Sequence, residues 1–90
     1  MKYTLIKRNQ SLRSDSHFQF IRWMRKMDLQ YWKDNQDFMD GYAYRKMTFE
    51  NIEIRHDNED NFVADLIKYK ILETNETKGF WNLILNKINK

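Results

Sequence analysis

The residues best suited to binding chemistry are basic side chains and tryptophans near the start of the chain. Arg22, Arg25 and Lys26 are three and four residues apart, so on a helix they share one face. Basic groups beside indole rings suit contact with phosphates and stacked bases. Arginine and tryptophan are also favoured anchors of protein interfaces. The residues predicted to contact a macromolecular partner are Arg13, Arg22, Arg25, Lys26 and Trp32.

Charge is segregated along the chain. Residues 1–26 carry seven basic and one acidic side chain. Residues 27–65 carry four basic and ten acidic side chains, and residues 66–90 carry five basic and two acidic ones. A basic end can meet an anionic partner, whereas an acidic middle repels nucleic acid. In the competing interpretation the segments neutralise one another across the fold, the tryptophans belong to the core and the arginines form a solvated face.

Groups typical of catalysis are scarce. The chain has no cysteine and two glycines, Gly41 and Gly79, which leaves no thiolate nucleophile and no glycine-rich phosphate loop. The set of Asp40, Glu53 and Arg55 loosely resembles metal-nuclease patterns. In those patterns a strand presents an acidic and a basic residue two positions apart, on one face, around a divalent ion. The lysine usual in those patterns is missing. We therefore expect no enzymatic activity and keep a metal-dependent nuclease as a third hypothesis.

Two further patterns could bind a metal ion. Residues 57–61 begin like a calcium loop, but Phe62 stands at the glycine position and Lys68 at the position of the bidentate glutamate. His17 and His56 are too few to form a zinc site without carboxylates. Helix capping and surface positions account better for these residues, and we predict no metal and no cofactor.

A strand, a loop and a helix are predicted for the basic first third. Residues 2–7 alternate between apolar and polar side chains and predict a short strand, and the polar residues 8–14 predict a loop. Ser16 and Gln19 fit a capping box, and an apolar stripe follows at three- and four-residue steps. The stripe predicts a helix over residues 17–33. Its members are Phe20, Trp23, Met24, Met27 and Tyr31.

The middle of the chain supports several interpretations. In one, residues 34–37 end the first helix because they are poor helix formers. In another the helix continues to a C-cap at Gly41, and in a third Asp40 and Gly41 form a hairpin turn. Apolar side chains over residues 42–54 alternate in pairs with two phase slips. This pattern predicts bulged or broken strands, or a short helix capped by Thr48.

The last third contains a second clear helix. Residues 59–68 have a wide apolar face, and residues 57–58 supply a cap. Two continuations follow. In the first, residues 70–74 and 80–85 form two strands joined by a turn. In the second, Thr77 caps a final helix.

In the first continuation the order is helix, strand, loop, strand. Residues 66–72, Leu-Ile-Lys-Tyr-Lys-Ile-Leu, are similar to the passage out of the recognition helix in winged-helix proteins, with Lys70 where a glycine is usual. The resemblance implies a winged-helix-like C-terminal half. However, Glu59, Asp60 and Asp65 lie on the corresponding helix, and carboxylates suit a DNA groove poorly. A winged-helix shape would not by itself imply DNA binding.

These patterns predict one α+β domain over residues 1–90, with two or three helices and a small antiparallel sheet. The aromatic fraction of 16% can supply much of its core. No apolar run reaches the length of a membrane span, and no secretory signal is visible. The absence of cysteine fits a reducing compartment, so we expect a cytoplasmic protein with no membrane partner.

The expected function is that of a small non-enzymatic regulatory or inhibitory protein that acts by contact with another protein. Charge segregation, many aromatic residues and the lack of a catalytic constellation favour it. The composition is rich in Lys, Asn and Ile and lacks Pro, which is typical of AT-rich coding sequences and suggests a phage or mobile-element gene. The alternative is a small nucleic-acid-binding protein that uses the basic first third.

Overall fold

A computed structural model describes residues 1–75 of the chain. The elements follow in the order β1 (Lys2–Leu5), β2 (Gln10–Arg13), α1 (His17–Met27), α2 (Asn35–Glu50), α3 (Glu59–Lys68) and β3 (Leu72–Thr74). These helices and the antiparallel sheet confirm the predicted α+β class. In this part of the chain no helix has both the length and the apolar character needed to cross a membrane.

The sheet is centred on β1, which pairs antiparallel with β2 on one side and β3 on the other. Tyr3 lies opposite Leu12 in β2 and opposite Thr74 in β3. Because side chains alternate along a strand, Tyr3 and Leu5 share one face, and both are buried. This face is the surface on which the helices pack.

The strand predictions have mixed outcomes. The strand predicted at residues 2–7 is confirmed as β1, and the one at residues 70–74 is confirmed as β3. The loop predicted at residues 8–14 is wrong, because β2 lies there; it is an edge strand of mostly exposed residues, so it carries no apolar alternation. The predicted strand at residues 80–85 and the alternative final helix lie outside the described residues. The winged-helix resemblance therefore stays a prediction.

The helix α1 begins at its predicted cap and packs on the sheet. The Gln19 N–H donates to Ser16 Oγ at 3.1 Å. The ring of Phe20 stacks on Tyr3 with centroids 4.4 Å apart, and the Tyr3 hydroxyl is hydrogen-bonded to His17 Nδ1 at 2.8 Å. Sheet and helix are thus joined by an aromatic stack with a polar contact at its edge.

The end of α1 differs from the prediction. The helix stops at Met27, not at residue 33, because Asp28 adopts an extended conformation. The indole N–H of Trp32 then donates to Asp28 Oδ2 at 2.6 Å, which folds the chain back on itself. The apolar periodicity of the sequence continues past Met27 to Tyr31, but Tyr31 is exposed and lies beyond the end of α1.

The middle of the chain forms one long helix, α2, in place of the predicted turns and strands. Asp34 caps it, since Asp34 Oδ1 accepts the Asp37 N–H at 2.8 Å. The helix ends at Asn51, whose φ of 55° is left-handed. The predictions of a helix end at residues 34–37, a C-cap or hairpin turn at Gly41 and a helix cap at Thr48 are therefore wrong, because this segment starts and fills α2.

Tertiary contacts explain why α2 escaped prediction. Phe38, Met39 and Ala43 are buried, yet Tyr44 and Phe49 are exposed. Apolar side chains on all sides of a helix leave no stripe to recognise. The packing of α2 against the rest of the chain, and not its own amphipathicity, identifies its inner face.

Gly41 is needed inside α2 because Trp32 lies against it. A β-carbon at Gly41 would stand 2.2 Å from Cη2 of Trp32. The bare backbone lets the indole ring rest on the helix, where it meets Phe38 edge-on at 6.1 Å. A glycine within a helix costs about 1 kcal/mol relative to alanine, and burial of the large ring offsets that cost.

The predicted helix at residues 59–68 is confirmed as α3, with Asn58 as its cap. Asn58 Oδ1 accepts the Asn61 N–H at 2.8 Å. On the inner face, the Phe62 ring meets Tyr42 of α2 edge-on at 5.5 Å. The core thus lies between the sheet and the three helices.

A buried carboxylate ties the segment before α3 to that helix. Asp65, 6% exposed, accepts the backbone N–H of Arg55 at 2.8 Å and the Arg55 Nη2 at 2.8 Å. The hydrogen-bonded Arg55 guanidinium holds the pKa of Asp65 below its ordinary value, although burial acts in the opposite direction. Asp65 is therefore ionised and neutralised within the fold.

Replacing Gly41 by Ala should destabilise the protein by about 1–3 kcal/mol, because the added methyl group must displace the Trp32 ring. Helix propensity alone would have the opposite effect. Urea unfolding followed by circular dichroism measures the change. The control is Thr48→Ala, an exposed position of the same helix, which should change stability by no more than about 0.5 kcal/mol. A Gly41→Ala protein more stable than wild type would contradict the packing of Trp32 on α2.

The pairing of Asp65 with Arg55 predicts an acid-sensitive part of the stability. Because folding lowers the pKa of Asp65, its contribution is complete above the ordinary value of 3.8 and is lost as pH falls through the lower folded value. Asp65→Asn should lower the free energy of unfolding at neutral pH and flatten its decline below pH 3.8. Urea unfolding across this pH range tests this, with the exposed Asp60→Asn as control. A decline as steep in Asp65→Asn as in wild type would count against the pairing.

Candidate functional site

The five contact residues predicted from the sequence divide into two groups. Arg25 and Trp32 serve the fold, since Arg25 donates from Nε to Asn35 Oδ1 at 3.2 Å and from Nη1 to the Trp32 carbonyl at 3.3 Å. The other three are exposed on β2 and α1, and they are Arg13, Arg22 and Lys26. The structure brings Arg25 and Trp32 together but leaves the role of the whole set in partner binding as a prediction.

The ion pairs lie within the acidic middle of the chain. Arg45 pairs with Asp28, Lys46 with Glu50, Arg55 with Asp65, and His56 contacts Asp40. All eight residues belong to residues 27–65. Across residues 1–75, no ion pair joins the basic first segment to this acidic one. The competing interpretation, in which segments neutralise one another, therefore has no ion pair behind it in this part of the chain. The pKa of Glu50 is nevertheless lowered by its hydrogen bond with Lys46 and, to a lesser degree, by the charge of Lys7 from the first segment.

A groove of about 370 Å³ opens where several elements meet. Its walls are the end of α1, the C-terminal half of α2, the turn between β1 and β2, and the junction of α3 with β3. Its volume falls in the range of small-ligand pockets, roughly 300–1,000 Å³. Its aromatic lining consists of Trp23, Phe38, Tyr42, Phe49 and Tyr69.

Part of the apolar lining faces solvent. Phe49 is 79% exposed, Met27 43% and Tyr69 37%. Single exposed apolar side chains are ordinary on protein surfaces, but these three border the same concavity. A gathered apolar surface with a polar edge is typical of an interaction site.

Among residues 1–75, five basic side chains and two carboxylates border the groove. Both carboxylates are already paired, with Arg45 Nη2 3.2 Å from Asp28 Oδ2 and Lys46 Nζ 2.6 Å from Glu50 Oε2. The remaining cations make no ion pair within residues 1–75. We call them the rim cations, and they are Lys7, Arg8 and Lys70.

Arg45 belongs to the corner between α1 and α2. Its guanidinium carbon lies 5.8 Å from the centroid of the Trp32 ring and 5.9 Å from that of Tyr42. Burial tends to raise the pKa of Asp28, but the hydrogen bond from Trp32 and the charge of Arg45 outweigh it, so the pKa lies below its ordinary value. Asp28 is thus an ionised, internally satisfied group.

Tyr42 forms part of the groove floor in its neutral form. Burial, together with the nearby Glu50 carboxylate, raises the pKa of Tyr42 to about 12, although Arg8 and Arg45 act in the opposite direction. The phenol is therefore protonated at neutral pH. It can donate a hydrogen bond to a ligand but is not a general base.

Lys70 occupies a conformation that favours glycine. Its φ is 59°, and it follows α3 in a Schellman motif, with Ile71 N–H donating to Leu66 O at 2.9 Å and Lys70 N–H to Ile67 O at 3.0 Å. This explains why the sequence resemblance would place a glycine here. A non-glycine residue in the left-handed region costs about 1–2 kcal/mol. In return, the chain carries a cation at the rim of the groove.

The residues of the nuclease hypothesis meet at a second, shallow pocket. Asp40, Glu53 and Arg55 all border it. However, Arg55 turns to Asp65, and Asp40 Oδ1 lies 2.6 Å from His56 Nδ1. Among residues 1–75, no three His, Cys, Asp or Glu side chains are grouped so that they could hold a metal ion.

Comparison of the chain with protein-family models, curated proteins and solved structures finds no match. The groove itself was missed by sequence reasoning because its lining comes from segments far apart in the chain. One signal was present, namely Lys70 where a glycine is usual. The residues of the groove are therefore the basis of the proposed function.

Replacing Lys70 by Gly should raise the free energy of unfolding by about 1 kcal/mol, because it removes the left-handed strain. Urea unfolding measures the difference. The matched control is Asn51→Gly, where φ is 55°. Asparagine tolerates this conformation better than lysine, so the control should gain less. A Lys70→Gly protein less stable than wild type would contradict the strain assigned to Lys70.

Proposed function

We propose that this protein is a small non-enzymatic regulatory or inhibitory protein that binds another protein through the groove. The observation that carries the proposal is the convergence, on one concavity, of exposed apolar side chains and of cations that form no ion pair within residues 1–75. Protein interfaces draw most of their affinity from a few aromatic and apolar anchors set in pockets, with charged residues around them. Phe49, Met27 and Tyr69 are suited to the first role and the rim cations to the second.

The chemistry of the groove supports binding more than catalysis. The groups that could serve as bases there are Asp28 and Glu50, and each is held in an ion pair. Tyr42 is held neutral by its raised pKa. No pair of nucleophile and base results from this arrangement. A cytoplasmic site of action and a phage or mobile-element origin, both inferred from composition, complete the proposal.

Phe49→Ser should weaken partner binding about tenfold with little effect on stability, because the ring is 79% exposed yet borders the groove. Wild-type, Phe49→Ser and Tyr44→Ser proteins are immobilised and incubated with nuclease-treated bacterial lysate, and retained proteins are quantified by mass spectrometry. Tyr44→Ser is the matched control, since Tyr44 is also an exposed ring of α2 but does not border the groove.

We expect a protein that wild type and Tyr44→Ser retain and that Phe49→Ser retains about tenfold less. Circular dichroism of each variant verifies that the fold is kept. The proposal would be rejected if the three immobilised proteins retain every lysate protein equally, or if none of them retains any lysate protein above empty resin.

Nucleic-acid binding is the second candidate, favoured by rim cations beside the exposed rings of Phe49 and Tyr69. Gel shifts with duplex and single-stranded probes across a salt series test it. Binding should weaken steeply with salt. Lys7→Ala/Arg8→Ala tests the groove, and Arg22→Ala/Lys26→Ala tests the outer face of α1. No shift of any probe at low salt removes this candidate.

A further inference from the structure

The rim cations form a positive cluster on the sheet side of the groove. Lys7 and Arg8 lie in the turn between β1 and β2, and Lys70 lies between α3 and β3. The two segments are held together by the Ile6 N–H, which donates to the Ile71 carbonyl at 3.0 Å. The three residues are exposed. Their charges are therefore presented to solvent from the same end of the sheet, where β1 ends and β3 begins.

The helix side of the groove is apolar at its rim. Met27 comes from the end of α1 and Phe49 from the last turn of α2, and both are exposed. The cations on this side, Arg45 and Lys46, are held by their carboxylate partners. As far as residues 1–75 show, the groove is therefore polarised, with cations outside any ion pair along one edge and adaptable apolar surface along the other.

We propose, on the basis of the proposed function, that the groove binds an acidic amphipathic segment of a partner protein. Large apolar side chains of that segment enter the cavity, and its carboxylates meet the rim cations. A volume of about 370 Å³ accepts a few side chains but not the body of a helix, so the segment lies across the opening. The apolar anchors supply most of the affinity, and the charges supply orientation and association rate.

Charge placement favours a peptide over a nucleic acid. A nucleic-acid strand needs cations along a continuous line of phosphates. Here the rim cations occupy one edge, and the carboxylates of Asp28 and Glu50 border the same groove. An amphipathic segment needs carboxylates only on the side that faces the rim cations.

Lys70 supplies an independent argument for a charged ligand. Its left-handed φ of 59° would be relieved by glycine, so lysine at this position carries a local backbone cost. Strained backbone that persists in this way is often found at binding sites. Lys70→Gly should therefore weaken binding of the acidic segment although it stabilises the fold.

The test uses short random peptides displayed on phage and selected on the immobilised full-length protein. Enriched peptides are synthesised with a fluorescent label and titrated by fluorescence anisotropy. The rim variant is Lys7→Glu/Arg8→Glu. Its matched control changes the net charge equally at exposed positions outside the groove, and it is Lys2→Glu/Lys33→Glu.

We expect enriched peptides that combine Asp or Glu with large apolar residues. Their dissociation constants should rise roughly tenfold or more in the rim variant. They should stay near wild type in the matched control and be lost in Phe49→Ser.

Three outcomes would overturn the proposal that the groove binds an acidic segment. Neutral or basic peptides that still require Phe49 would leave the proposed function standing but reject an acidic segment. A selection that yields no peptide dependent on Phe49 would reject both. Single-stranded nucleic acid that binds at the groove in preference to any peptide, and is lost in the rim variant, would assign the site to nucleic acid.

Discussion

The contact between Trp32 and Gly41 holds together the corner on which the groove depends. The indole ring lies where a β-carbon at Gly41 would stand 2.2 Å from it, so the helix must present bare backbone there. From this position Trp32 donates to Asp28 and lies beneath the guanidinium of Arg45. A single ring thus joins the end of α1 to the middle of α2. Asp28 and Arg45 are in turn part of the groove wall, so the shape of the groove follows from this corner.

The charge of the groove depends on which basic residues form ion pairs within the fold. Arg45, Lys46 and Arg55 of the acidic middle segment each pair with a carboxylate of that same segment, whose ten carboxylates still outnumber its four basic side chains. The basic first segment has no such pairs within residues 1–75. Lys7 and Arg8 of that segment reach the groove and leave it positive on one side. Charge segregation along the sequence therefore persists within residues 1–75 as a groove with cations along one side.

Local sequence signals were sufficient to predict where a helix begins when a capping residue precedes a clear apolar periodicity. They were insufficient elsewhere. The starts of α1 and α3 could be predicted because Ser16 and Asn58 precede clear apolar stripes. The helix α2 could not, because its apolar side chains cover all faces and only tertiary packing selects the inner one. The predicted contact residues Arg25 and Trp32 have the right chemistry for an interface, yet contacts at the corner between α1 and α2 engage them in the fold. Which cations of residues 1–75 form ion pairs depends on tertiary contacts and has no local signature.

The most direct measurement is a map of where an acidic amphipathic peptide binds, obtained from proton–nitrogen correlation spectra of the isotopically labelled protein. We expect the largest amide shifts at residues that border the groove, such as Arg8, Phe49 and Lys70. Little change should occur at Arg13 and at the outer face of α1. Shifts centred on Arg22 and Lys26, with the groove residues unchanged, would contradict the assignment of the groove as the binding surface.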